Sequence, residues 1–279
     1  MMRRITAPRR RGGPRVLGRA AASPTVFRVA AHLCAAAALL GGLLCACAHA
    51  PAPDERPVVV VLFDLSASTD ASVIRARYLE DFGKVATYTA SKEGLLFADL
   101  IDEDPLAHSE LPIQTSFLLP ERVRGNPLYE SAARNKMVSA VTAQVSELLG
   151  REPSQGTDIL GAVQLAQRIF EREGASGPHY LVIFSDMFNK SPDADFYSNV
   201  PAPRDVQTLI AALTRSGRLP DLCGVSVLVS GAGVQAQASA SPERILSVQH
   251  FWQAYFGATG AELQPGWYSG RLISFPGGD

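Results

Sequence analysis

The chain has 279 residues, 47% of them hydrophobic and 19% charged, with a formal net charge of −1. That length allows one ordinary domain with a substantial core, plus an appendage. Residues 1–47 hold eight of the 26 basic residues and no acidic one, so the remainder carries 18 basic against all 27 acidic side chains and sits near −9; a body of that sign lacks the basic face of a sequence-independent nucleic-acid binder, and no nucleic-acid partner is expected.

The arginine-rich start leads into Val29–Leu44, an Ala- and Leu-rich stretch of the length of a signal-peptide apolar region. It closes on Leu44-Cys45-Ala46-Cys47, which is similar to the bacterial lipobox, where a leucine at −3 and a small residue at −1 precede the lipidated cysteine. Cys47 fits that pattern, and Cys45 fits it less well because Leu44 would stand at −1. The resemblance implies a signal peptide over 1–47, a palmitate-type lipid on Cys47, and an extracytoplasmic lipoprotein of the cell envelope, lipid-anchored to a membrane. An uncleaved membrane anchor is the alternative. Residues 48–57 (AHAPAPDERP) then read as a Pro- and Ala-rich tether with no core pattern, and a domain is expected over 58–279. Of the four cysteines, Cys34 and Cys45 would leave with the signal. Cys223 stands alone before an apolar run and is expected to be a buried, inert thiol.

The domain opens with Val58-Val59-Val60-Val61-Leu62-Phe63-Asp64, a β-branched apolar run that fits a strand buried on both faces. Asp70–Ser91 carries mixed three- and four-residue apolar spacings and predicts a helix. Leu95–Ile101 is a second strand, ending on Asp102-Glu103-Asp104, and Leu111–Leu119 a third, bounded by prolines and suited to an edge. Asn126-Pro127 opens a long helix to Leu149. The polar loop Ser154–Asp158 leads into a further helix that breaks at Gly174–Pro178. Tyr180–Ser185 is a fourth strand, again ending in an aspartate, Asp186. A proline-containing loop to Arg204, with the aromatic pair Phe196-Tyr197, precedes a helix over Asp205–Arg215 and a fifth strand over Val225–Val229. Pro242–Phe256 is a final helix and Trp267–Phe275 a sixth strand. Strands alternating with helices of ten or more residues imply an α/β fold: a doubly wound, mostly parallel six-stranded sheet with helices on both faces.

Open sheets of this kind bind ligands beyond the carboxyl ends of their strands. Three pieces put oxygen donors there or at a helix start: Asp64-Leu65-Ser66-Ala67-Ser68, Thr157 in Gly156-Thr157-Asp158, and Asp186. Together they resemble the metal-ion-dependent adhesion site of the von Willebrand factor type A family, D-x-S-x-S after the first strand, a threonine in a later loop and an aspartate after the fourth strand. The likeness covers roughly Pro57–Phe275. Two carboxylates with three hydroxyls make a hard, oxygen-only donor set suited to magnesium, with manganese or calcium as alternatives, and not to zinc. The resemblance implies that Ser66, Ser68 and Thr157 coordinate directly and that Asp64 and Asp186 act largely through water or hydrogen bonds. It also implies a protein partner whose carboxylate fills the ion's open position. Relatives commonly place a small residue where Met187 follows Asp186, so access to the site is expected to differ here.

The bland alternative is that Ser66 and Thr157 cap helices while Asp186 is a turn residue. Two further functions stand behind adhesion: an envelope scaffold that docks through another face, the metal site serving only loop stability, and a metal-dependent hydrolase. The second is disfavoured. A phosphatase of the haloacid dehalogenase type needs a second acid where Ser66 stands, and Asp102, Glu103 and Asp104 read as a solvated cluster rather than a general base. Ser230-Gly231-Ala232-Gly233 is only loosely similar to a phosphate-binding loop. His49, His108, His179 and His250 show no metal-ligand spacing and read as surface or satisfied histidines.

Overall fold

Val58–Asp64 forms β1, and all seven of its residues are buried in the computed structural model of the protein. The structure describes residues 55–108, 110–174, 176–234, 240–272 and 274–275; the signal segment, Cys47 and most of the tether fall outside them. β1 lies between β2 (Leu95–Ile101) and β4 (His179–Phe184), parallel to both. β5 (Val225–Ser230) continues the parallel array beside β4, and β6 (Tyr268–Ser269) adds two residues at that edge. On the other side β3 (Ile113–Ser116) runs antiparallel to β2, so the sheet is mixed, in the order β3-β2-β1-β4-β5-β6.

Alternate residues of each strand feed two cores. Val58, Val60 and Leu62 face α3 (Ile159–Glu173), α4 (Pro203–Arg215) and α5 (Pro242–Ala258). Val59, Val61 and Phe63 face α1 (Ser72–Ser91) and α2 (Pro127–Leu149). Burial on both faces explains the unbroken apolar run of β1, since either outcome of the two-residue alternation lands in a core. Each fully buried valine, leucine or phenylalanine contributes on the order of 1.5–3 kcal/mol of transfer free energy, which makes this strand the most heavily buried element of the fold. Among the described residues no helix is long and apolar enough to cross a membrane.

Three expectations need correction. The sixth strand is two residues long, not nine, because the chain is then drawn off the sheet edge by Asp81 of α1. That carboxylate accepts the Leu272 amide at 2.8 Å and pairs with Arg271, while Leu272 and Phe275 pack into the core beneath α1. The third strand is confined to Ile113–Ser116 between Pro112 and Pro120. Cys223 is exposed, not buried: it sits in the turn before β5, where Leu222 takes the inward position.

Candidate metal centre

The sheet order reverses at β1, with β2 reached on one side and β4 on the other, so the crevice outside the carboxyl ends of β1 and β4 is the switch point of the fold. Asp64 is the last residue of β1, and Asp186 lies two residues beyond β4. Both are buried.

Short local bonds set the first loop. The Ser66 amide donates to Asp64 Oδ1 at 2.8 Å, turning the chain sharply at the strand end. Thr69 Oγ1 then donates to the carbonyls of Asp64 and Ser66, at 2.7 and 3.0 Å, and winds the loop into one turn. The second loop is stitched to the first by the Ser154 amide, which donates to Leu65 O at 3.0 Å. Thr157 is joined to the third loop by a reciprocal backbone pair with Lys190, at 3.1 and 2.8 Å. Gly156 is required in front of it, because a Cβ there would stand 2.7 Å from Glu103 Cβ. Backbone hydrogen bonds thus bring three segments, distant in sequence, to one point.

The side chains converge as well. Ser66 Oγ and Ser68 Oγ are 2.9 Å apart, Ser68 Oγ donates to Asp186 Oδ2 at 2.7 Å, and the Phe188 amide donates to Asp186 Oδ1 at 3.0 Å. Asp64 Oδ2 accepts from Ser185 Oγ at 2.7 Å. Ser66, Ser68 and Thr157 are among the residues lining a cleft of about 430 Å³. Of the five expected donors, Asp64, Ser66, Ser68 and Asp186 thus form one connected network, and Thr157 lines the same cleft as the two serines without a hydrogen bond to that network. Neither serine nor threonine is a helix cap. α1 starts at Ser72 behind Ala71, and α3 is capped by Asp158, whose carboxylate accepts the Gly161 amide at 3.1 Å.

The electrostatics are those of a site short of positive charge. Burial pushes the Asp64 carboxyl upward against the hydrogen bonds from Ser185 and Ser66. Burial, followed by the charge of Asp64, pushes Asp186 up to about 7. Among the described residues no lysine, arginine or histidine forms an ion pair with either carboxylate. Nor do they include a cluster of three or more His, Cys, Asp or Glu side chains able to hold a metal; the donors here are two carboxylates and neutral hydroxyls. That set fits a hard divalent cation, which would take oxygen ligands and relieve two buried negative charges at once.

Met187 departs from the expectation of altered access. Its backbone adopts φ = 69°, in the left-handed region that favours glycine, and its side chain is buried in the core of α3 and α5 rather than in the cleft. The Trp252 indole holds its carbonyl at 2.8 Å. The acidic cluster is also more than a solvated tip. Asp102 O accepts the Asp158 amide at 2.7 Å, and both ring nitrogens of His108 lie 2.8 Å from carboxylate oxygens of Asp99 and Asp102. This turn buttresses the loop that carries Thr157. The glycine-rich segment is committed elsewhere: the Gly231 and Ala232 amides donate to Ser269 O, and the Gly233 amide to Asp186 O.

Sequence reasoning missed Ser185, which holds Asp64, and Tyr197, whose hydroxyl lies 2.8 Å from Ser68 Oγ. Ser185 stood beside a residue already singled out. Tyr197 had no signal beyond its place in an aromatic pair, because the loop that delivers it has no periodic pattern.

No family model matches the sequence, and no curated protein matches it. Solved structures similar to it include a von Willebrand factor type A protein from Catenulispora acidiphila, at 14% identity over 75% of this chain and 44% of that one, with a TM-score of 0.35. The pilus adhesin SpaC from Lactobacillus rhamnosus GG is 11% identical over 48% of this chain and 15% of its own, TM-score 0.32. The human COPII-coat protein Sec24c is 10% identical over 80% and 30%, TM-score 0.38. The chain spans less than half the length of each of these three. Likenesses of this size identify no family, and the site stands on its own geometry.

Proposed function

We propose that the domain is a divalent-cation-dependent protein-binding module of the von Willebrand factor A type, with magnesium as the resident ion. The observation that carries this reading is that two buried carboxylates without an ion-pair partner lie directly behind Ser66 and Ser68, which with Thr157 line one cleft. Ser66, Ser68 and Thr157 would hold the ion through their hydroxyl oxygens, while Asp64 and Asp186 supply negative charge and orient the serines. When bound, the cation supplies an open coordination position with residual positive charge, which suits a carboxylate from a partner protein. We read the site as one of binding rather than turnover. Around this module we place an exported lipoprotein, lipidated at Cys47 and held by residues 48–57 at the membrane on the extracytoplasmic side of the envelope.

Titration of magnesium or manganese into the wild type and into Asp64→Ala tests the cation site. The wild type should bind and the variant should not; equal behaviour would sink the reading. Partners released by excess chelator would support bridging through the ion, whereas partners retained in chelator would favour a scaffold docking through another face. Palmitate labelling should disappear in Cys47→Ala.

A further inference from the structure

Ser68 Oγ has more neighbours than a serine bound to a cation can keep. Its single proton goes to Asp186 Oδ2 at 2.7 Å. The contacts at 2.9 Å with Ser66 Oγ and 2.8 Å with Tyr197 OH must then both be donated to it, and they occupy both of its lone pairs. A lone pair given to a cation therefore displaces one of these two donors. Ser66 is itself an expected ligand, buried in the wound loop after β1. Tyr197 lines the cleft and is 39% exposed, so of the two donors it has the open space to turn into.

Tyr197 nonetheless sits on a loop braced more firmly than an exposed segment needs. The Asp195 carboxylate accepts the Tyr197 and Ser198 amides at 2.9 and 3.2 Å. Arg244 of α5 donates to the carbonyls of Phe196 and Tyr197 and lies over the Phe188 ring, its guanidinium carbon 5.8 Å from the ring centre. The Phe188 ring in turn packs against Tyr197, with centroids 5.5 Å apart. With the backbone braced, a phenol that leaves Ser68 stays within reach of the same cleft.

Resting on the cation reading above, we infer that Tyr197 is a second anchor for the partner's acidic side chain. Without the ion its hydroxyl occupies Ser68; with the ion it donates to the carboxylate oxygen that does not face the metal. The same proton thus opposes cation entry and favours carboxylate capture. This points to a partner segment presenting an aspartate or glutamate, since a donor beside a cation selects an acceptor carrying negative charge.

Tyr197→Phe separates these two effects. Manganese binding is followed by electron paramagnetic resonance of the free ion. Binding of a capped aspartate (N-acetyl-aspartyl amide) to the manganese-loaded protein is followed by water proton relaxation, with capped asparagine as control. The variant should bind manganese about threefold more tightly, having lost a competing donor, and capped aspartate about tenfold more weakly, having lost one charge-assisted hydrogen bond. A purely structural role would weaken both, so a fall in manganese affinity alongside aspartate affinity would overturn the proposal. Equal aspartate affinity in variant and wild type would also overturn it while leaving the cation reading intact. A wild type that binds no manganese would defeat the cation reading itself.

Discussion

Among the buried carboxylates of the described residues, Asp81 and the pair Asp64 and Asp186 are built in opposite ways. Asp81, on α1, is fully buried and surrounded by compensation. Lys84 pairs with it at 2.8 Å, Arg271 at 3.3 Å, and the Leu272 amide and Ser230 hydroxyl donate to it at 2.8 Å each. Burial would raise its pKa, but the bonds from Lys84, Leu272, Ser230 and Arg271 outweigh burial and hold it below the usual carboxylate range. Asp64 and Asp186 are equally buried, receive only neutral donors, and are pushed upward. On the proposed cation reading, the difference separates structure from function. A buried charge supplied with its counter-ions holds two segments together, whereas a buried pair left without one is a place for a ligand to complete.

The largest effect should come from breaking the compensated centre. Asp81→Asn strands Lys84 and Arg271 and weakens the grip on Leu272, and it should cost about 3 kcal/mol in urea unfolding. Asp186→Asn should do the reverse in cation-free buffer, leaving stability unchanged or raising it, because an uncompensated charge is removed. What it should lose is the response to ligand: on the cation reading, manganese at 100 times its dissociation constant should stabilise the wild type by about 2.7 kcal/mol, and the variant should gain nothing. An Asp186→Asn protein as damaged as Asp81→Asn would erase the distinction.

The pH dependences of the two centres also oppose each other. The depressed pKa of Asp81 gives stability that is present above the ordinary carboxylate pKa and is lost as pH falls through its folded value. The raised pKa of Asp186 gives stability present below the ordinary value near 3.8 and lost as pH rises toward about 7. Urea midpoints of the cation-free protein should therefore fall between pH 4 and 7, by at most about 1.4 kcal/mol per unit for one proton. The slope should flatten in Asp186→Asn and in excess manganese. His108 adds a smaller slope of the same sign above pH 6.5. Burial pulls it down, but its hydrogen bonds to Asp99 and Asp102 outweigh that and raise it, so its contribution is lost as pH rises through its folded value. Smallest of all should be the exposed pair of Arg75 and Asp70, where Asp70→Asn should move stability by under about 0.5 kcal/mol. A larger loss there would show that surface pairs, not the two buried centres, dominate the charge effects in this chain.

Much of this was legible before any coordinates. A run such as VVVVLFD has few other ways to be buried, and the regular spacing of helices between strands leads to a doubly wound sheet with Asp64 and Asp186 at its switch point. The meeting of Asp64, Ser66, Ser68 and Asp186 was readable because each lies within a few residues of a strand end. What was not readable depends on contacts distant in sequence. Nothing local announces that Asp81 will capture Leu272 and end β6 after two residues, nor that Tyr197 will reach Ser68 across 129 positions. The inward turn of Met187 was equally hidden, since a left-handed conformation in a bulky residue is imposed by the packing around it. Cys223 misled because proximity to an apolar run says nothing about which residue of a turn points inward.

The bond from the Trp252 indole to the carbonyl of Met187 has an optical consequence. The chain has two tryptophans, and this one is fully buried, with its N–H fixed to the residue next to Asp186. Any movement of the third loop as its aspartate gains or loses a neighbouring charge alters the hydrogen bond and the field at that chromophore. Comparing Trp267→Phe, which keeps only the buried indole, with the parent would isolate its emission. The domain thus places a fluorophore, readable without a label, against the loop that carries Asp186.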